Sequence, residues 1–548
     1  MKVLMNIITA PLICIVLFGC TNDILEETPP HVLSSETLYQ ELGGFESGLN
    51  GLYNLARFSA WQSEKLENVL NGVDNMTSNY RRSPIFYTWG SANSPADKDL
   101  RETFEWLYET INAANTIITR AEAPGIDWSG GSSTLDGNKN RVIAEARAIR
   151  AWCYRRLTYS WGDVPLNLDE SVGSKIKTDW ERTPVAQVRR QIISDFLFAQ
   201  SHVPTEGSKQ GRITKGAVQT FLAEMYLTIN KPDSALHWTN QVINNPAYKL
   251  VTQRYGVKRT DPAGSPFGDM FKEGNKNREE GNTEALWVWQ FELNAVDRQG
   301  SQLSRSQTGN YNLYVINGVR ALQYTYERGG RGKSYFAPTK WLIDSYEAQD
   351  ERASNYILRK YFILSNAATN APYPADLLPS GYKYGDTIWC NWSKNISSSY
   401  RDRPDWPFSR KSEGTDPSNM AADYCWNDQV YLRLADTYLL KAEAQYKMSQ
   451  PNEAAITINA IRTRSKASSV TGAEINMDFI LDERSRELFL EEERRFTLLR
   501  TRKFLERTAK YNFYGGQLVS GRDTLFPIPQ TVIDANLTSP MPQNPGWD

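Results

Sequence analysis

Apolar positions along most of this chain recur with the period of an amphipathic helix. Phe104, Leu107, Tyr108, Ile111 and Ile118, with Asn115 among them, fall on one face. The stretch stops at Pro124-Gly125, where proline cannot continue a helix and glycine permits a turn. A second long helix is expected from about Arg141 to Ser160, rich in Ala and Arg, ending at Trp161-Gly162-Asp163-Val164-Pro165. The same spacing predicts helices near 184–201, 214–230, 233–245, 339–348, 430–449, 452–466 and 477–507. Leu286-Trp287-Val288-Trp289-Gln290-Phe291 reads instead as a strand, with Trp287 and Trp289 on one face and assigned to packing. Between about 250 and 425 the helical pattern gives way to Gly, Pro, Asn, Ser and Tyr, and segments 366–384 and 401–419 read as loops. Loops held on a rigid scaffold are where binding residues concentrate.

Two of the predicted hairpins repeat each other. Ala223-Glu224, Pro232 and Ala235 have the same mutual spacing as Ala442-Glu443, Pro451 and Ala454. In each, a helix ends, a second begins at proline, and small residues sit where the pair would cross closely. Ala223, Tyr226, Ala235 and Val242 fall on tetratricopeptide-like spacing, with Gln445 where the second copy would carry Tyr. The expected fold is therefore mainly α: helical hairpin repeats packed against an irregular, loop-rich region with few short strands.

The N-terminus has a different pattern. A single Lys2 precedes an apolar run from Met5 to Gly19, too short for the roughly 20 residues that span a bilayer core. It ends in Leu17-Phe18-Gly19-Cys20, which reads as a signal peptide (1–19) with lipoprotein cleavage at Cys20. Lipid on that cysteine gives two or more chains, at about 0.8 kcal/mol per buried methylene, and hence a stable anchor. Residues 20–35, containing Pro29-Pro30, read as a tether, and Asp23, Glu26 and Glu27 resemble an acidic surface-export tag. The remainder, 36–548, is taken as a single domain: helical repeats at about 36–250 and 426–510, the loop-rich insertion at about 250–425, and a closing segment at 511–548.

Charge and cysteine content narrow the partners. Sixty-two basic and 63 acidic residues leave a net charge of −1, with no global field to attract nucleic acid. Cys153, Cys390 and Cys425 remain after the signal region; Cys153 falls in a helical pattern as a buried hydrophobe, and a Cys390–Cys425 bridge is open to an exported protein. Three widely spaced histidines without cysteines beside them give no metal-ligand spacing, so no metal or cofactor is expected.

No nucleophile elbow, phosphate loop, dinucleotide fingerprint or metalloprotease helix is present. Glu491-Glu492-Glu493 lies beside Arg484, Arg486, Arg494 and Arg495 and is assigned to charge pairing; Trp152 and Trp161 are assigned to the core. No catalytic residue is expected. Aromatic content, 12% of the chain, is the more telling feature, because flat rings suit the C–H faces of sugars while polar side chains meet the hydroxyls. One candidate platform is Trp61, Asp74, Tyr80, Arg81 and Trp89, rings around a polar stretch; another is Tyr311, Tyr314 and Tyr324, with Tyr326, in the insertion.

Several stretches together make the chain resemble the SusD/RagB family along essentially its full length. They are Phe526-Pro527-Ile528-Pro529 with Gln543-Asn544-Pro545-Gly546-Trp547; Glu483 to Arg500; Arg433-Leu434-Ala435-Asp436 through Ala444; Trp161 to Leu166; and Pro338 to Trp341 with Asp350 and Arg352. The resemblance implies four tetratricopeptide-like units and a non-enzymatic outer-membrane lipoprotein, exposed at the cell surface. It also implies a SusC-like TonB-dependent transporter as partner, to which captured oligosaccharides, or in some members peptides, are delivered. A surface glycoside hydrolase is the less favoured alternative. The family motifs carry over no ligand-binding residue.

Overall fold

A computed structural model describes residues 35–60, 69–77, 89, 94–173, 176–293, 300–366, 375–392, 404–416, 418–537 and 539–547. Cys20, the tether, Trp61, Tyr80 and Arg81 lie outside these residues.

The frame is a stack of helices: α1 (Leu42–Ala60), α2 (Lys98–Ala121), α3 (Leu135–Trp161), α4 (Val185–His202), α5 (Lys215–Thr228), α6 (Pro232–Ile243), α7 (Leu434–Lys447) and α8 (Pro451–Arg464). From α2 to α8 each helix packs on the next, so α7 continues from α6 although 190 residues separate them. Local chemistry sets the ends. The Asp97 carboxylate accepts from the Leu100 N–H to start α2, and the Thr134 and Thr214 hydroxyls do the same for α3 and α5. Proline occupies the first turn of α6 and α8, where its missing N–H costs nothing. Gly162, at φ +73°, closes α3.

The two hairpins α5–α6 and α7–α8 are the repeat expected from sequence, and they match to the turn. Asn230 and Ser449 both take the left-handed conformation, at φ 56° and 60°. The next N–H then returns to the preceding helix in each, Lys231 to the Tyr226 carbonyl at 2.8 Å and Gln450 to the Gln445 carbonyl at 2.9 Å. Ala223, Leu227, Ala235, Leu440 and Ala444 meet where the two hairpins join.

Beyond the helix expected at 339–348, which is confined to Lys340–Asp344, two predicted helices differ. Residues 429–433 extend as β4 (Gln429–Arg433), antiparallel to β1 (Ala285–Trp289), before α7 begins. Every residue of both strands is buried, so burial on two faces overrides the helical periodicity that runs into them. The expected helix 477–507 is three: α9 (Met477–Leu488), α10 (Arg494–Arg500) and α11 (Phe504–Tyr511). Leu490 and Arg502, at φ 67° and 59°, turn the chain between them. Trp152 stands at the centre of the core, within 6.2 Å of the Trp287, Trp289 and Tyr431 rings, its N–H bonded to the Tyr431 hydroxyl at 2.7 Å. Trp161 is buried too, as expected for both.

The breaks after α9 place charges rather than apolar groups at the junction with the insertion. Arg352 donates to Asp350, Glu483 and Glu487; Arg433 donates to Glu284, Glu487 and Glu491; Arg464 pairs with Glu284 and Glu487. The acidic run is indeed paired, with partners from across the fold as well as its neighbours: Glu491 with Lys411 and Arg433, Glu492 with Arg484 and Arg494, Glu493 with Arg155 and Arg156. The closing motif has a similar structural part. Phe526 N–H donates to the Ser160 carbonyl, Trp161 N–H to the Pro527 carbonyl, and Asn544 to the Trp161 carbonyl, sealing the end of α3.

Candidate functional site

Three sequence-selected site residues are interior in the structure, and their placement on a ligand surface is corrected accordingly. Asp74 has no exposed surface: its carboxylate accepts from Arg494 at 2.9 and 2.7 Å and from Arg507 at 2.7 Å. Burial pushes this carboxyl up, but the two guanidiniums outweigh burial and hold it below the ordinary range. Trp89 is 2% exposed; its N–H donates to the Gly72 carbonyl at 2.8 Å and its ring meets Phe504 edge-on. Tyr311, fully buried, donates to the Gly330 carbonyl at 2.7 Å and packs between Phe362, Phe408 and Tyr324. Burial raises its phenol well above the usual value. Polar residues flanking an aromatic run look the same in sequence whether they face water or a buried guanidinium.

Tyr314 and Tyr324 stay half-buried at the edge of the same cluster. Tyr314 leads to a residue that the sequence reading missed. Its hydroxyl donates to the carbonyl of Trp389 at 3.4 Å, and Trp389 is 57% exposed. Trp389 ends β3 (Thr387–Trp389), antiparallel to β2 (Tyr361–Ile363), with Tyr361 directly opposite and the two rings 4.9 Å apart. Ile388 points into the core while Thr387 and Trp389 point out. That period-2 alternation, Thr387-Ile388-Trp389-Cys390, was the available signal. Tyr382 and Tyr384, on the turn leading into β3, are also exposed.

The rings stand on a rigid base. Asp376 accepts from Arg328 at 2.7 and 2.6 Å and from the N–H groups of Gln323 and Ser365, while Arg328 also reaches the Ile363 carbonyl. This buried pair joins three loops beneath the platform. Cys390 and Cys425 are both free: Cys390 faces the Arg359 carbonyl and Cys425 the Ser301 carbonyl, so the bridge considered from sequence is not formed. An apolar cavity of about 460 Å³, between α2 and the helix Gln530–Asp534, shares no residue with the platform.

A solvent-facing indole beside two tyrosines can stack on a flat, weakly polar ligand face and hydrogen-bond at its rim. Comparison with known proteins places this fold in a family. A sequence model of the SusD family matches residues 283–547, and one described as "Starch-binding associating with outer membrane" matches residues 23–227. The chain belongs to the SusD family. SusD-like protein P2 of Formosa agariphila is 25% identical across 98% of this chain and 99% of its own. A SusD homolog from Bacteroides thetaiotaomicron superposes with a TM-score of 0.69 at 18% identity, covering 94% of this chain and 98% of that one. A laminarin binding SusD-like protein does so with a TM-score of 0.64 at 19% identity, covering 92% and 99%. These SusD-superfamily structures share the helical architecture.

Proposed function

We propose that this SusD-family protein is a non-enzymatic, lipid-anchored receptor at the outer face of the outer membrane. It captures oligosaccharides and passes them to a TonB-dependent transporter of the SusC type. The observation that carries the reading is Trp389, held out on a strand, backed by Tyr361 and braced by Tyr314. A single exposed ring is ordinary, but Trp389 with the exposed Tyr382 and Tyr384 nearby in the chain makes a group of rings of the kind that marks a binding surface. Sugar C–H faces do so at modest affinity, and micromolar binding needs only about 8 kcal/mol. The family description, with its starch binding and outer-membrane association, supports the same ligand class and location.

Isothermal titration against plant, host and microbial oligosaccharides, with a peptide digest alongside, tests the reading. Saturable binding of one glycan class, weakened by Trp389→Ala and without product formation, is the expected result. Binding of peptides alone would move the protein to peptide capture, and release of shorter sugars would make it a hydrolase. Co-purification of a tagged chain with a transporter barrel from outer membranes tests the partner.

A further inference from the structure

We infer that the protein has a second sugar site, a pocket for one neutral hexose unit, where α1 meets β1 rather than at the Trp389 platform. A cavity of about 290 Å³ opens between α1, the loop before α5 and the end of β1. It shares no residue with the Trp389 platform. Asn50, Asn54 and Arg57 face it from successive turns of α1, at the spacing that puts side chains on one helix face. Gln210 and Gln290 complete the polar wall, and Trp289 supplies an aromatic one.

The hydrogen bonds among these groups leave a mixed set of donors and acceptors. Arg212 donates to the Asn50 carbonyl oxygen at 2.6 Å, and Arg57 donates to that of Asn54 and to the Gln290 backbone carbonyl. Each asparagine is thereby oriented, and among the described residues its amide N–H₂ group meets no protein acceptor. Gln290 spends its N–H₂ group on Asn277 and the Val288 carbonyl, leaving its side-chain oxygen as acceptor. Among the described residues the Gln210 side chain has no hydrogen-bond partner. Gly211 takes φ +80°, and a Cβ there would sit 2.6 Å from Gln290 Cγ, so glycine allows that glutamine to close on the loop.

The cavity wall includes a buried indole donor. The indole N–H groups of Trp89, Trp106, Trp152, Trp161, Trp287 and Trp406 all have acceptors. Among the described residues those of Trp289, in a side chain 1% exposed, and of Trp426 have none, and of the two only Trp289 lines the cavity. A buried donor left unmatched is costly unless something supplies the acceptor. Of the two arginines on the wall, Arg212 is paired with Glu46 and Glu145 and Arg57 donates to the neutral oxygens of Asn54 and Gln290, so amide donors and acceptors set the chemistry, which suits a ligand whose every hydroxyl both gives and takes a hydrogen bond. The volume is at the lower end of small-molecule pockets, which limits the ligand to about one ring.

Saturation-transfer NMR on the full soluble chain with D-glucose, D-galactose, D-mannose and N-acetylglucosamine tests this directly. At least one is expected to show saturable transfer, weakened tenfold or more by Asn54→Leu and by Gln210→Leu, both at solvent-accessible positions, with folding checked by thermal unfolding. No transfer from any of the four, or transfer unaffected by both substitutions, overturns the proposal. Transfer lost in Trp389→Ala but kept in the two cavity variants also overturns it, and assigns hexose binding to the platform instead; failure at the platform alone leaves the cavity result standing.

Discussion

The helical frame and the loop-rich segment use the same residue types for opposite ends. In the frame, Trp152, Trp287 and Trp289 are packed around Tyr431, and the arginines of the junction each meet two or more carboxylates. In the segment between β1 and β4, Trp389 stands in solvent and its neighbours Tyr382 and Tyr384 are exposed. Aromatic content therefore says little until position is known: a ring inside adds rigidity, and a ring outside offers a surface. The difference follows from backbone geometry. Two strands buried on both faces hide every side chain, whereas the β2–β3 pair, covered on one face, must turn alternate residues outward.

The comparison breaks most sharply at the buried junction. Glu487→Gln strips the charge that Arg352, Arg433 and Arg464 share, removes one negative charge from the buried cluster and leaves Arg464 with Glu284 alone. Denaturant unfolding should show a loss of about 3–5 kcal/mol. A loss within surface-substitution range would mean that the junction is not the keystone.

Acid should find the same weak point. Burial pushes the Glu483 carboxyl up, but Arg352, Arg486 and Arg462 outweigh it and hold it at about 2; Arg410, Lys272 and Arg359 do the same for Glu413. Unfolded, both return to the ordinary glutamate value near 4.5, so the unfolded chain binds protons that the native state refuses. Their stabilisation is complete above that value and is lost as pH falls toward 2. Thermal unfolding from pH 6 to pH 2.5 should show a steep drop below about pH 4.5, and Glu483→Gln should flatten it.

At the platform the effect belongs to binding alone. Trp389→Ala is expected to weaken the glycan tenfold or more, about 1.4 kcal/mol, while changing unfolding free energy by less than about 0.5 kcal/mol. Trp287→Ala should do the reverse, destabilising the fold by about 3–5 kcal/mol. Equal effects of the two on stability would erase the distinction between frame and surface.

The smallest test compares the repeated hairpins. Ser449→Gly relieves a left-handed residue and should stabilise by up to about 1 kcal/mol. Asn230→Gly should gain less, because asparagine tolerates that conformation. Differential scanning calorimetry of the pair would resolve the two.

Much of the frame was legible because its signals are local. The matched spacing of Ala223, Pro232 and Ala235 with Ala442, Pro451 and Ala454 required two equivalent hairpins, and Gly162 marked the end of α3. The site was less legible. Asp74 and Trp89 lie in a polar, ring-flanked stretch that looks like a ligand loop, yet Arg494 and Arg507, more than 400 residues away, draw Asp74 inside. Trp389 was passed over because the strand that turns it outward is three residues long and pairs with a segment 26 residues earlier.

By itself the sequence determined the helical repeat, the structural use of the acidic run and the family, since periodicity, capping and motif spacing act within a few turns of chain. Only the tertiary structure decided which rings face water, that Cys390 and Cys425 stay apart, and that the end of α3 is sealed by the closing motif. Those outcomes depend on which distant segments compete for the same buried volume, and sequence proximity carries no record of that competition.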